Sequence, residues 1–302
     1  MPICVAGMHR SGTSMVARLL HEVGVYLGAE SELIPPSQDN MDGYMENTRF
    51  VQINDELLIR LGGSWGNPPP TTLDDLEKTD IRDLRNRAEV MLQNFRGHEP
   101  WGWKDPRNSL TLSFWMSLID GVKVVVCLRH PSQVARSLYR SRCLPPYTLN
   151  MTLWNMYSRL AVYRPRYQQK FLSHPLALKL LKVSNQLRVR SSSRQREVYT
   201  YLLGLTLWKM YNEGVLKHTA PEQRIITHYE SFFDDPRAEL LRLLDFLNIH
   251  ASDEKIDRCC STISTRLRRN HGNPCHPADS RVSSDVLRLY VRMCEEAGFA
   301  PS

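Results

Sequence analysis

Apolar positions along the chain fall into two rhythms. Ile3-Cys4-Val5-Ala6 is a short continuous run, the pattern of a short buried strand. Met15, Val16, Leu19, Leu20 and Val23 follow at helical spacing. The alternation recurs. Asn47 predicts the cap of a helix through Val51, Ile53, Leu57, Leu58 and Leu61, stopped by Gly62-Gly63. Asp80 to Phe95 reads as a charged amphipathic helix, and Trp101-Gly102-Trp103-Lys104 as a strand ended by Pro106. Leu110 to Leu118 is helical. Val122 to Leu128 is the clearest strand, rich enough in β-branched residues to lie at the centre of a parallel sheet. A helix from Ser132 through Leu138 comes next. Arg224 to Tyr229 is a further strand. The helix from Glu230 onward carries an apolar stripe of Leu240, Leu241, Leu244 and Leu247. Helices over Ser252 to Cys260 and Ser284 to Ala297 close the chain, with Gly298 as the stop signal. Strands alternating with helices predict an α/β fold with a parallel sheet.

The region from Tyr147 to Glu213 breaks that alternation. It is mostly helical and basic, and reads as a helical insertion, roughly 147–213, beside the sheet of a single domain spanning 1–302. Its most polar stretch, Arg188 to Arg196, reads as a loop, as does the basic run from Arg266 to Ser280. At 302 residues the chain can bury a sizeable core. The formal charge of +7 favours anionic ligands. No aromatic-interleaved basic stripe of the kind single-strand binders use is present, which argues against nucleic acid. Seven scattered cysteines, an odd number without a C-x-x-C pair, read as reduced thiols. His228, His271, His276 and Cys275 have no metal-ligand spacing, so no metal is expected. No apolar run approaches the roughly 20 residues of a membrane span, and no leader precedes the first strand. A soluble, cytoplasmic chain is expected.

The first strand and helix are joined by Gly7-Met8-His9-Arg10-Ser11-Gly12-Thr13-Ser14. A glycine-bracketed loop in that setting is a phosphate cradle, with backbone N–H groups and a helix N-terminus aimed at one anion. Gly7, Gly12 and Ser14 match the Walker A spacing, but Thr13 stands where that motif needs lysine. The loop's cation is Arg10. A P-loop-type sheet is therefore expected, in which a nucleoside triphosphatase would lack its phosphate lysine. A second segment, Arg129-His130-Pro131-Ser132-Gln133-Val134-Ala135-Arg136-Ser137, follows the strongest strand. The C-terminal edge of such a strand is where open α/β sheets bind ligands. An arginine there can fork onto a phosphate, and a hydroxyl can donate to another of its oxygens.

Arg10-Ser11-Gly12-Thr13-Ser14 resembles the 5′-phosphosulfate loop of sulfotransferases that use 3′-phosphoadenosine 5′-phosphosulfate (PAPS). Arg129-x-Pro131-x-x-x-Ala135-x-Ser137 resembles the 3′-phosphate segment of the same superfamily. Trp103-Lys104-Asp105-Pro106-Arg107 is similar to the Lys-Asp-Pro-Arg segment of its bacterial-type and carbohydrate members, and Tyr229-Glu230 with Pro236 to its Tyr-Glu-x-x-x-x-x-Pro stretch. The resemblance spans roughly Ile3 to Phe246. It implies a sulfotransferase moving a sulfuryl group from PAPS, with PAP as product, to an acceptor hydroxyl, most naturally on a carbohydrate or glycoconjugate. It implies cofactor contacts at Arg10, Ser11, Gly12, Thr13, Ser14, Arg129, Ser137 and Tyr229, with Tyr229 near the adenine. A kinase is the competing reading. It is weakened by Thr13 and by a segment suited to a 3′-phosphate, which ATP lacks. A non-catalytic nucleotide-binding scaffold has to explain why Arg10, Lys104, Arg129 and Ser137 are all present.

The chain departs from the small-molecule branch at three places. Met15 replaces the Trp that stacks on adenine, the Lys-x-Gly-x-x-Gly segment is missing, and Pro106 stands at the catalytic His position. Arg266, Arg268 and Arg269 are candidates for the missing segment's charge. The base must come from elsewhere. Asp42-Gly43-Tyr44-Met45-Glu46-Asn47 resembles the Gly-aromatic-x-Glu-Asn segment of bacterial-type members, which makes Glu46 the expected base. Asp105 and His9 are the lesser candidates. Arg10 is then expected to offset charge on the leaving phosphate, and Lys104 to contact the transferring oxygens.

Overall fold

The computed structural model describes residues 1–36, 40, 43–69, 80–141, 193–263 and 282–300. In chain order the main elements are β1 (Pro2–Ala6), α1 (Thr13–Val23), α2 (Thr48–Arg60), α3 (Arg82–Leu92), β2 (Trp101–Lys104), α4 (Asn108–Met116), β3 (Lys123–Leu128), α5 (Pro131–Ser141), α6 (Ser193–Lys217), β4 (Arg224–His228), α7 (Ser231–Asp234), α8 (Pro236–Phe246), α9 (Asp253–Thr262) and α10 (Ser284–Ala297). The four strands form one sheet in the order β2-β1-β3-β4. Every pairing is parallel, with Cys4 opposite Trp103 on one side and Val124 on the other.

The continuous apolar runs of β1 and β3 are explained by their central place. Ile3, Val5, Val125 and Cys127 point to one face, where Val16, Leu19, Leu20, Leu240, Leu243 and Ile256 cover them. Cys4, Ala6, Val124, Val126 and Leu128 point to the other, into the larger cluster of Phe50, Trp103, Trp115, Trp208, Tyr211 and Tyr290. Helices α1, α8 and α9 thus supply one layer, and α2 to α6 with α10 the other. Both faces of the parallel sheet are dry, as its lack of alternation requires.

Two expectations along the last third are corrected. The helix after Glu230 is two helices. Asp235 leaves helical geometry and its side chain accepts from the Ala238 amide at 2.9 Å, while Pro236 takes the first position of α8. A proline there needs no N–H and starts a new helix. The stripe of α8 is Leu240, Leu243 and Leu244, continued by Leu247 at its C-cap, all buried, whereas Leu241 is 40% exposed. Spacings of three, four and seven from Leu240 select those residues.

The stretch read as an insertion contributes residues from 193 onward to α6, which starts inside the run Arg188 to Arg196 expected as a loop and extends to Lys217. The helix lies against α5 and α4 and buries Tyr201, Leu205, Leu207, Trp208, Tyr211 and Val215. A Cβ on Gly204 would sit 2.9 Å from the Ala135 Cα, so the helix axes meet at a glycine. The remainder of that stretch, the basic run Arg266 to Ser280 and Asp42 lie outside the described residues.

Candidate active site

The C-terminal ends of β1, β2 and β3 converge on the loop between β1 and α1. The loop bends through two left-handed residues, Arg10 at φ 73° and Gly12 at φ 95°. Glycine is required at the second on two counts. A side chain there would be strained, and its Cβ would meet the Tyr229 Cδ2 at 2.6 Å. Tyr229 therefore packs directly on the loop. The Ser11 amide donates to the Met8 carbonyl at 3.1 Å, and Gly7 N donates to Ser109 Oγ at 3.0 Å. Helix α1 begins at Thr13 without a side-chain cap. Its first-turn amides, Thr13, Ser14 and Met15, have no intrahelical acceptor, which leaves a helix N-terminus suited to an anion. The Ser11 Oγ is buried with no hydrogen-bond partner among the described residues.

Arg10 and Arg129 interlock. The Arg129 Nη1 donates to the Arg10 carbonyl at 3.2 Å and its Nε to Gln133 Oε1 at 2.9 Å, with the guanidinium 4.1 Å over the Tyr229 ring. The Arg10 Nε in turn donates to Ser137 Oγ at 3.0 Å. The two segments that the sequence separates by more than a hundred residues thus meet side chain to side chain. Gln133 is a partner that sequence reasoning missed. It lies four residues after Arg129 on the first turn of α5, a spacing that brings side chains together.

Lys104, at the end of β2, is 2% exposed, and Glu46 is 8% exposed. The Lys104 ammonium donates to Glu46 Oε1 at 2.6 Å, to the Tyr44 carbonyl at 3.0 Å and to Ser14 Oγ at 3.1 Å. Three donors and three acceptors satisfy a buried ammonium. Glu46 is held where the chain enters α2. Its carbonyl accepts from the Ile34 amide at 2.8 Å, and the next residue, Asn47, caps α2 through the Arg49 amide at 3.0 Å.

Asp105 faces away from this pair. Its carboxylate accepts from Asn54 Nδ2, the Arg107 amide and Arg107 Nη1, each at 2.9 Å. Arg107 also pairs with Asp55 at 2.6 Å. Burial works against the Arg107 charge, but Asp105 and Asp55 hold it protonated. Asn54 and Asn108 extend this network to Thr111, Trp103 and Trp115. The one signal for it in the sequence is an asparagine inside each of two apolar helix faces.

His9 sits between Trp65, ring centroids 4.7 Å apart, and Tyr211, at 5.7 Å. Burial pushes its imidazole well below the usual range, and the cations of Arg107, Lys104 and Arg10 push the same way. Its Nδ1 is buried without a partner among the described residues. So acidic a conjugate acid makes a poor proton acceptor near neutral pH. Among the described residues no group of His, Cys, Asp and Glu could hold a metal ion, and no helix is long and apolar enough to cross a membrane.

A family described as "Sulfotransferase domain" matches residues 2–278. No curated protein matches the chain. Among solved structures, the sulfotransferase domain of the Synechococcus PCC 7002 olefin synthase is 16% identical over 97% of this chain and 94% of its own, with a TM-score of 0.51. A sulfotransferase from Alicyclobacillus acidocaldarius is 16% identical over 99% and 96%, at a TM-score of 0.45. One from Mycobacterium avium is 11% identical over 99% and 77%, at 0.48. The likeness to the first is one of fold, and the other two add no argument to it.

Proposed function

This chain belongs to the sulfotransferase domain family, and from that premise we propose that its acceptor is a hydroxyl of a carbohydrate or glycoconjugate, activated by Glu46. The observation that carries the assignment is the reach of Lys104. One buried ammonium touches Ser14 of the phosphate loop and the Glu46 carboxylate together. A group bridging the anion cradle and a carboxylate is where a sulfuryl group in transit needs positive charge.

The residues present fit PAPS. An uncapped helix N-terminus, two interlocked arginines and an aromatic ring against the loop match two anionic groups and a base. When bound, PAPS supplies an activated sulfuryl group on a phosphate leaving group. The amides of Thr13 to Met15, with Ser11, Gly12 and Ser14 shaping the loop, hold the 5′-phosphate. Arg10 would place positive charge beside that phosphate as a leaving group. Arg129 and Ser137 hold the 3′-phosphate, with Tyr229 beside the adenine. Lys104 serves the transferring oxygens. Glu46 receives the acceptor hydroxyl's proton. Catalysis is then positioning plus electrostatic stabilisation. Asp105 supports this from below by fixing Arg107. The carbohydrate class rests on the resemblance of the Lys104 segment to bacterial-type and carbohydrate sulfotransferases, and of the Glu46 segment to bacterial-type ones. A cytoplasmic location belongs to the same reading.

Two experiments test it. In thermal shift, PAP should stabilise the protein more than ATP with Mg²⁺, and the reverse order would overturn the cofactor assignment. Labelled sulfate from PAPS, offered to a panel of glycans and cell extracts and read by mass spectrometry, should appear on sugar hydroxyls. Label confined to phenols or sterols would refute the acceptor class.

A further inference from the structure

Helix α6 carries none of the family's motifs, yet it backs the segment that carries Arg129. Trp208 is fully buried in that helix, and an indole N–H in a core needs an acceptor. Its Nε1 donates to the Arg129 carbonyl at 3.0 Å. That carbonyl lies one residue beyond the end of β3 and two before Pro131, the first residue of α5. The amides of Gln133 and Val134 both turn to the His130 carbonyl. The peptide that follows Arg129 is therefore oriented from the side by a residue of another helix. The close approach of Gly204 to Ala135 keeps the two helices at the separation this bond needs. Tyr290 of α10 stands edge-on to both Trp208, at 6.2 Å, and His130, at 4.8 Å, so the indole has a wall behind it.

We propose that Trp208 is a positioning residue for the 3′-phosphate subsite. It fixes the Arg129 peptide plane, and so the direction in which the long Arg129 side chain leaves the backbone. Rotating that plane displaces the guanidinium from Gln133, from the Arg10 carbonyl and from the Tyr229 face together. The inference rests on the reading of Arg129 as the 3′-phosphate residue.

The test compares PAP with 5′-AMP, which lacks only the 3′-phosphate, by titration calorimetry on the full chain. In Trp208→Phe an aromatic ring is kept, a smaller one, and the N–H is lost. The ratio of the 5′-AMP Kd to the PAP Kd should fall by about fivefold, the equivalent of one neutral hydrogen bond. The 5′-AMP Kd itself should rise by less than the PAP Kd, because no residue assigned to the 5′-phosphate is substituted. Arg129→Ala runs in the same series. If it leaves the ratio unchanged, the 3′-phosphate reading itself is wrong. If it lowers the ratio while Trp208→Phe does not, only the role of Trp208 is overturned. Equal weakening of both nucleotides by Trp208→Phe marks a merely structural residue and also overturns it. Should Trp208→Phe fold poorly, Trp208→Tyr gives the same readout, and if neither folds Trp208 is a stability residue and the proposal falls.

Discussion

Replacing Glu46 with Gln separates chemistry from binding at this site. The change keeps the side-chain shape and one oxygen for Lys104, but removes the negative charge. In the wild type that charge lies 2.6 Å from an ammonium that is 2% exposed. Stripping one partner from a buried ion pair costs about 3–5 kcal/mol. The retained hydrogen bond, together with the Tyr44 carbonyl and Ser14 Oγ, offsets part of this, so a loss of about 2–3 kcal/mol is expected. In a domain of this size that lowers Tm by roughly 3–5 °C. Binding should move the other way. With a negative charge gone from beside the anion cradle, PAP affinity should hold or rise, since Arg10, Arg129 and the first-turn amides are unchanged. Turnover with labelled PAPS should nevertheless fall by about 10²-fold or more, the scale of a lost general base. Adding Lys104→Met to Glu46→Gln should recover stability, because the unpaired charge is gone, and leave the enzyme inactive. Calorimetry, a melting curve and a label-transfer assay on the same preparations read all three quantities. Unchanged turnover would remove Glu46 as the base. A parallel loss of PAP affinity and turnover would make the effect structural and refute the reasoning.

Acid should weaken the fold through His228. Its Nδ1 accepts from the Glu230 amide at 3.2 Å, so its Nε2 donates to the Tyr290 hydroxyl at 3.1 Å, and burial, with His130 and Arg129 nearby, pushes its pKa down to about 3. A depressed histidine pKa means that its stability contribution is complete above about pH 6.5 and is lost as pH falls towards 3. Between pH 7 and 5 this amounts to about 2 kcal/mol, measurable as a fall in urea midpoint that His228→Phe should flatten. An unchanged slope in the variant would show that another group titrates. Leu243→Ala should cost about 2–5 kcal/mol and Leu241→Ala less than about 0.5 kcal/mol in urea unfolding, and equal costs would refute the assignment of the α8 core face. Gly204→Ala should cost about 1–3 kcal/mol by overpacking against Ala135, and a neutral result would mean that α5 and α6 can separate freely.

Much of the frame was legible in the sequence because local rules and burial agree there. The run Val122 to Leu128 could be read as a central strand and Ile3 to Ala6 as a buried one, since a parallel sheet covered on both faces leaves no polar alternation. Asn47 announced α2 by capping chemistry alone. Where sequence reading slipped, the deciding information lay outside the window. Leu241 and Leu243 differ in which side of α8 meets β3 and β4, and a run of leucines does not record that. The polar network of Asn54, Asp105, Asn108 and Thr111 is assembled from β2, α2 and α4, so no contiguous motif spells it.

The candidate site shows the same division more sharply. The sequence presents Arg10 and Arg129-Ser137 as two phosphate sites, one after each central strand. Adjacency of β1 and β3 is what makes them one object. It brings the Arg129 guanidinium to the Arg10 carbonyl and the Arg10 guanidinium to Ser137. The left-handed backbone of Arg10, unfavourable for a residue with a Cβ, is held by these contacts on both its main chain and its side chain. Subsites sharing partners in this way do not respond independently, so changes at Arg10, Arg129 and Ser137 should combine non-additively. Tyr229 ties the same object to β4, since its ring fills the space beside Gly12 and lies under Arg129. The glycine-bracketed loop is therefore one edge of a cradle whose other edges come from β3, α5 and the end of β4. On the proposed reading, its discrimination between nucleotides would be a property of the sheet order as much as of the motif.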